Sequence, residues 1–233
     1  MRKMYLSAPL PFVGQKRMLA KEFMKVLEQY PDGTLFVDLF GGSGLLSHIT
    51  KSLKPHSTVI YNDFDNYRFR MKHIPQTNQL LADIREMVGN SVPRHKIIKG
   101  ELRERIFSRI EQEENSTGYV DFITLSSSIL FSMKYKLSVQ DMRKEALYNN
   151  IRKTGYPECT DYLEGLEIVS CDYKEVFNRY KDIPGVVFLV DPPYLSTDVG
   201  TYNMYWNMAD YLDVLNVLKG HSYVYFTSNK SSI

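Results

Sequence analysis

Phe188-Leu189-Val190-Asp191-Pro192-Pro193-Tyr194 closes an apolar run that begins at Val186. The run reads as a buried strand that ends on a carboxylate. Prolines cannot continue a central hydrogen-bonded ladder, so Asp191 is expected at the carboxyl edge of its strand. In an α/β sheet that edge is where ligands bind. Pro192 has no N–H, yet its carbonyl is free to accept. Tyr194 brings a flat ring to the same place. A carboxylate, a carbonyl and an aromatic face together suit a planar ring bearing an exocyclic amine. A strand end with a capping Asp and a proline turn is the plainer reading of these four residues taken alone.

A second stretch lies upstream. Phe36-Val37-Asp38-Leu39-Phe40-Gly41-Gly42-Ser43-Gly44 runs from an apolar segment into a glycine turn, and Leu45-Leu46-Ser47-His48-Ile49 continues with a helical pattern. Glycines there permit positive φ and close approach of a ligand, and a helix amino end offers free N–H groups. A further strand, Ser57 to Asn62, leads to Asp63, about 20 positions after the glycines, a spacing that suits a ribose diol. The pair Gly42-x-Gly44 lacks the third glycine of the dinucleotide fingerprint, because Ser47 stands there. A nicotinamide-dependent dehydrogenase is therefore disfavoured.

Taken in order, these stretches resemble the Dam-like, D12 class (α-group) DNA adenine-N6 methyltransferases, which use S-adenosylmethionine. Pro11-Phe12-Val13-Gly14-Gln15-Lys16 is similar to the family's amino-terminal motif, with Phe12 and Gln15 where a Trp and a second Gly are usual. The resemblance implies cofactor contacts from Phe12, Lys16, Asp38, Phe40, Gly42 and Gly44. It implies a ribose contact from Asp63 in Asn62-Asp63-Phe64-Asp65, and contact with the cofactor's adenine from Asp172 in Cys171-Asp172-Tyr173. Asp191, Pro192 and Tyr194 become catalytic. The implied fold is α/β and Rossmann-like, a mostly parallel twisted sheet with flanking helices plus a mainly helical DNA-recognition insertion. The expected division is 1–74 and 166–233 for catalysis, with 75–165 as the insertion. The family's sheet usually has seven strands. The stop soon after Tyr223 to Thr227 would leave out about the last two.

Composition agrees with a soluble globular protein. At 233 residues the chain can bury one core, or one core and a small addition. Its 29 basic and 27 acidic residues do not announce a nucleic-acid binder. Two cysteines, Cys159 and Cys171, make no disulfide framework, and their spacing with the histidines makes no metal site. No apolar stretch after Met1 is long enough for a signal or a membrane helix. The expectation is a metal-free, cytoplasmic protein.

The middle of the chain carries the local basic excess, with 12 Lys or Arg against 8 Asp or Glu between Arg94 and Lys153. Lys134, Lys136, Arg152 and Lys153 are candidates for phosphate contact, and Tyr148 and Asn149 for base contact, on double-stranded DNA. Leu80 to Glu114, Phe122 to Tyr135 and Val139 to Asn150 all read as helical. His48, among apolar neighbours, reads as structural. The first residue of Asp191-Pro192-Pro193-Tyr194 favours adenine in DNA. Cytosine N4 or RNA as target remains an alternative, as does a non-catalytic DNA-binding remnant that keeps cofactor affinity.

Overall fold

A computed structural model of the chain describes residues 3–131, 134–193 and 207–227. Four short apolar segments form parallel strands: β1 (Phe36–Asp38), β2 (Val59–Asn62), β5 (Glu167–Val169) and β6 (Val187–Val190). A fifth, β7 (Ser222–Tyr225), pairs in parallel with β6, and the order across the sheet is β5-β2-β1-β6-β7. The chain reverses direction across the sheet between β1 and β6. The crevice outside their carboxyl ends is thus the predicted ligand site of an open α/β sheet.

Residues of β1, β2 and β6 alternate between the two faces, and each face buries its set under helices. Phe36, Val59, Val187 and Leu189 pack beneath α1 (Ala20–Leu27) and α2 (Leu45–Leu53), through Phe23, Leu27, Leu46 and Ile49. Val37, Ile60, Phe188 and Val190 pack beneath α8 (Tyr173–Tyr180) and α9 (Met208–Leu218), through Val176, Phe177, Val214 and Leu218. A strand buried on both faces reads as a continuous apolar run, which is why Val186 to Val190 was legible as one.

A third core is mainly helical. It joins α3 (Tyr67–Lys72), α4 (Ile74–Val88), α5 (Gly100–Thr117), α6 (Phe122–Ile129) and α7 (Val139–Arg143). The expected helical stretch from Leu80 to Glu114 is two helices. α4 stops at Gly89 (φ 48°), and a short strand, β3 (Ile97–Ile98), precedes α5. The stretch from Val139 to Asn150 also divides, because Leu147–Tyr148 (β4) pairs antiparallel with β3. One buried ion pair ties this core to the rest. Arg70 Nε of α3 lies 3.1 Å from Oδ1 of Asp121, the residue whose side chain caps α6 by accepting from Thr124 N–H.

Candidate active site

A cavity of about 410 Å³ opens at the carboxyl ends of the central strands. That volume suits a ligand of nucleoside size. Its floor is the loop Leu39–Ser43 between β1 and α2, and its sides come from three further strand ends. Asn62, Phe64 and Asp65 follow β2, Asp172 and Tyr173 follow β5, and Asp191, Pro192 and Pro193 follow β6. Phe12 to Lys16 closes one side, and Ile123 and Leu137 of the helical part wall another.

The loop's shape depends on two close approaches. A Cβ on Gly41 would stand 2.4 Å from the Tyr61 ring and 2.7 Å from the Asn62 carbonyl, so only glycine fits. Gly42 has φ 49°, and a Cβ there would meet the Phe12 ring at 2.9 Å. Tyr61 and Tyr162 hold the loop from behind, donating from their hydroxyls to the carbonyls of Gly42 (2.8 Å) and Ser43 (3.1 Å). Asn62 joins three strand ends. Its amide donates to the carbonyls of Leu39 and Cys171 at 2.9 Å each and accepts from Cys171 N–H.

Asp38 does not line the cavity. It is fully buried beneath the loop, where its Oδ2 accepts from the Ser47 hydroxyl at 2.7 Å and its Oδ1 has no partner. Burial pushes its carboxyl up to about 7, the Ser47 hydroxyl opposes this, and the negative charge of Asp191 adds to it. Gly44 likewise stands back from the cavity, at the left-handed residue (φ 72°) that starts α2.

Asp63 also faces inward. Its Oδ1 accepts from Tyr67 N–H (2.6 Å) and the Tyr61 hydroxyl (3.0 Å), and its Oδ2 from Arg68 N–H (3.1 Å), so it caps α3. Burial raises its carboxyl above the usual range, and those three donors work against it. The carboxylate of this motif that lines the cavity is Asp65, two residues on. It is open to the cavity but crowded by protein. That crowding raises its carboxyl, Asp63 adds to the effect, and Arg70 opposes it.

Phe12, Phe40, Gly42 and Asp172 line the cavity as expected, and Asp172 also caps α8 by accepting from Lys174 N–H at 2.8 Å. The Tyr173 ring packs on Phe40 with centroids 4.9 Å apart. Lys16 lines the cavity too, but its nearest anion is Asp191: Nζ lies 2.6 Å from Oδ2 and donates to the Gly14 carbonyl at 2.7 Å. Pro192 lies beside Asp191, and Tyr194 is outside the described residues. The residues missed from the sequence are Asn62, Phe64, Asp65, Arg70, Tyr173, Ile123 and Leu137. The first three stand inside or beside the motif at the end of β2. Nothing local marks the other four.

The candidate DNA residues divide. Lys134 and Lys136 are both ion-paired to Glu145, at 2.6 and 3.1 Å. Asn149 is buried, its amide donating to the Val92 carbonyl at 2.6 Å. The half-buried Tyr148 packs its ring on Phe131. Arg152 and Lys153 are exposed, the former with its guanidinium 4.2 Å from the Tyr156 ring centre. His48 is fully buried, as its sequence context implied. Nε2 accepts from Tyr5 N–H, so Nδ1 is the donor to the Tyr162 carbonyl. Among the described residues no helix is long and apolar enough to cross a membrane, and no group of three or more His, Cys, Asp or Glu is placed to hold a metal ion.

Comparison with known proteins agrees with this geometry. A protein of Haemophilus influenzae named "Putative methyltransferase" is 39% identical over 236 residues, covering 99% of this chain and 78% of that protein. The model of the D12 class N6 adenine-specific DNA methyltransferases matches residues 12–219, from the Phe12 that packs on the glycine loop to the end of α9. The chain belongs to the D12 class N6 adenine-specific DNA methyltransferase family.

Proposed function

We propose that this protein transfers a methyl group from S-adenosylmethionine to N6 of adenine within a specific sequence of double-stranded DNA, on a base turned out of the helix. The observation that carries the reading is the convergence of Asp191, the glycine loop and Asp65 on one cavity of about 410 Å³. The cavity suits the cofactor on its own chemistry. The glycine loop leaves no room for a Cβ at Gly41, aromatic rings stand at Phe64 and Tyr173, and Asp65 offers a carboxylate to a diol. Phe12, Phe40, Gly42, Asp65 and Asp172 would hold it. Once bound, it supplies an electrophilic sulfonium methyl, and the protein residues supply placement and charge.

Adenine N6 is a poor nucleophile because its lone pair is delocalised into the ring. Asp191 and the Pro192 carbonyl accept its two N–H bonds, which favours a pyramidal nitrogen with its lone pair free. The same two acceptors offset the positive charge that grows on that nitrogen, a preorganised electrostatic effect. Turning the base out of its stack costs a few kcal/mol. Stacking on Tyr194 would return about 1–3 kcal/mol of that. Asp191 is an acceptor and not a base, since N6 becomes acidic only after methylation.

The test is Asp191→Ala. Incubation with labelled S-adenosylmethionine and duplex DNA, followed by digestion to nucleosides, should give N6-methyladenine from the parent chain. The variant should lose nearly all turnover, on the order of 10³-fold or more, with cofactor affinity retained by calorimetry. Label recovered in cytosine, or only with RNA, would replace the adenine reading.

A further inference from the structure

Two carboxyls belong to the catalytic end of this cavity, and the sheet holds them in fixed relation. Asp38 ends β1 and pairs in register with Leu189, two residues before Asp191. Asp191 stands in the cavity wall, ion-paired to Lys16, with the two side chains only 15% and 10% exposed. Asp38 lies beneath the glycine loop with no exposure. What acts on Asp38 is burial, the Ser47 hydroxyl, the charge of Asp191, and the N–H groups of Phe40 and Ser47. None of these is a cation.

Carboxyls placed this way do not both carry charge easily. A buried anion loses hydration, and a like charge nearby adds Coulomb repulsion in a medium that screens it poorly. A cation beside one of them settles the division, as where one site keeps one carboxyl ionised and its neighbour neutral. Lys16 is that cation. Its ammonium bridges Asp191 Oδ2 and the carbonyl of Gly14, whose left-handed backbone (φ 76°) shapes the turn beneath it.

We propose that Lys16 is a positioning residue that assigns the charge in this site: its ammonium keeps Asp191 an anionic acceptor facing the cavity and leaves Asp38 as the neutral carboxyl under the glycine loop. Lys16 then works on the catalytic carboxylate, where the family motif implied only a cofactor contact. The inference deepens the methyl-transfer reading and takes from it the purpose of an ionised Asp191, while the division of charge stands on geometry alone. Lys16 from the amino-terminal segment and Asp38 from β1 are the charged groups set against Asp191. Asp65, Arg70, Asp172 and Tyr173 line the same cavity.

The experiment needs no turnover. Aspartate labelled with ¹³C at Cγ in the full chain is titrated by NMR, and Asp191→Asn and Asp38→Asn identify the two signals. In the parent chain Asp38 should titrate near neutrality while Asp191 stays ionised from pH 5 to 8. In Lys16→Met the Asp191 midpoint should rise by roughly 1–3 units, the size of effect an adjacent cation has on a carboxyl. Lys16→Gln makes the same measurement if the Met variant folds poorly. An Asp191 midpoint unmoved in the neutral variants, or an Asp38 already ionised at pH 5 in the parent chain, overturns the proposal. A chain that titrates as expected but methylates no DNA refutes the functional reading and leaves the charge assignment standing.

Discussion

Asp38 is where burial and charge compete most directly in this protein. Its carboxyl is pushed up to about 7 by burial, against the ordinary value near 4 it would have in the unfolded chain. The folded state therefore holds that proton more tightly than the unfolded state does. The stability this contributes is complete in acid and is lost as the pH rises through 7. In urea titrations at pH 5 and pH 8, the parent chain should lose about 2–3 kcal/mol relative to Asp38→Asn across that interval. The asparagine keeps the acceptor for Ser47 and has no charge to desolvate. A difference that stays constant with pH would mean that Asp38 is already ionised in the native state. Its open Oδ1 would then need another explanation.

At the scale of elements, the turn into α3 decides which acid meets a ligand. Asn66 is left-handed (φ 55°) at the start of that helix, so the first helical N–H groups point back toward β2. Asp63 satisfies two of them, from Tyr67 and Arg68, and its carboxylate is drawn away from the cavity. Asp65, on the outer side of the turn, takes the place facing the ligand. The two acids should separate by assay. Asp63→Ala should cost about 0.5–2 kcal/mol of stability through the lost cap, with a smaller change in cofactor affinity. Asp65→Ala should leave the melting curve nearly in place and weaken S-adenosylmethionine binding about 10-fold or more, the effect of a hydrogen bond to a charged group. Calorimetry that finds the larger affinity loss at Asp63 would return the ribose contact to that residue and require the turn to open on binding.

For the whole molecule, the sheet and the helical part are joined by a buried pair and by the cavity itself. Arg70 and Asp121 bind across the two, and Ile123 and Leu137 reach the cavity from the helical side. Surface charge follows a different logic. Lys134 and Lys136 are held on Glu145, while Arg152 and Lys153 are exposed beyond the Tyr156 ring. If DNA lies along this part of the molecule, phosphates should engage the exposed pair first. In anisotropy titrations over a range of salt, reversing both charges as Arg152→Glu with Lys153→Glu should reduce the log–log slope by about 1.8, at roughly 0.9 per phosphate contact. Lys134→Gln with Lys136→Gln should change it much less. Equal effects from the two double variants would mean that the Glu145 pairs open to meet the backbone.

The strand ends and the order of the motifs were legible in the sequence because the signals behind them are local. A strand covered on both faces reads as an apolar run, prolines must end it, and a loop pressed against a tyrosine ring must be glycine. These features place Asp191, the Gly41–Ser43 loop and Asp172 at one edge of a parallel sheet before any packing is known. Tertiary structure decided what those signals do not carry, namely which way a side chain turns and what it meets far along the chain. Gly89 and a strand pairing across some 50 residues broke helical patterns that composition had run together. Asn149 was taken inside by the Val92 carbonyl, and Lys134 and Lys136 by Glu145. Lys16 met Asp191 although 175 positions separate them. Local pattern fixes backbone state and burial, whereas the partner of a charge depends on which surfaces the folded core brings together.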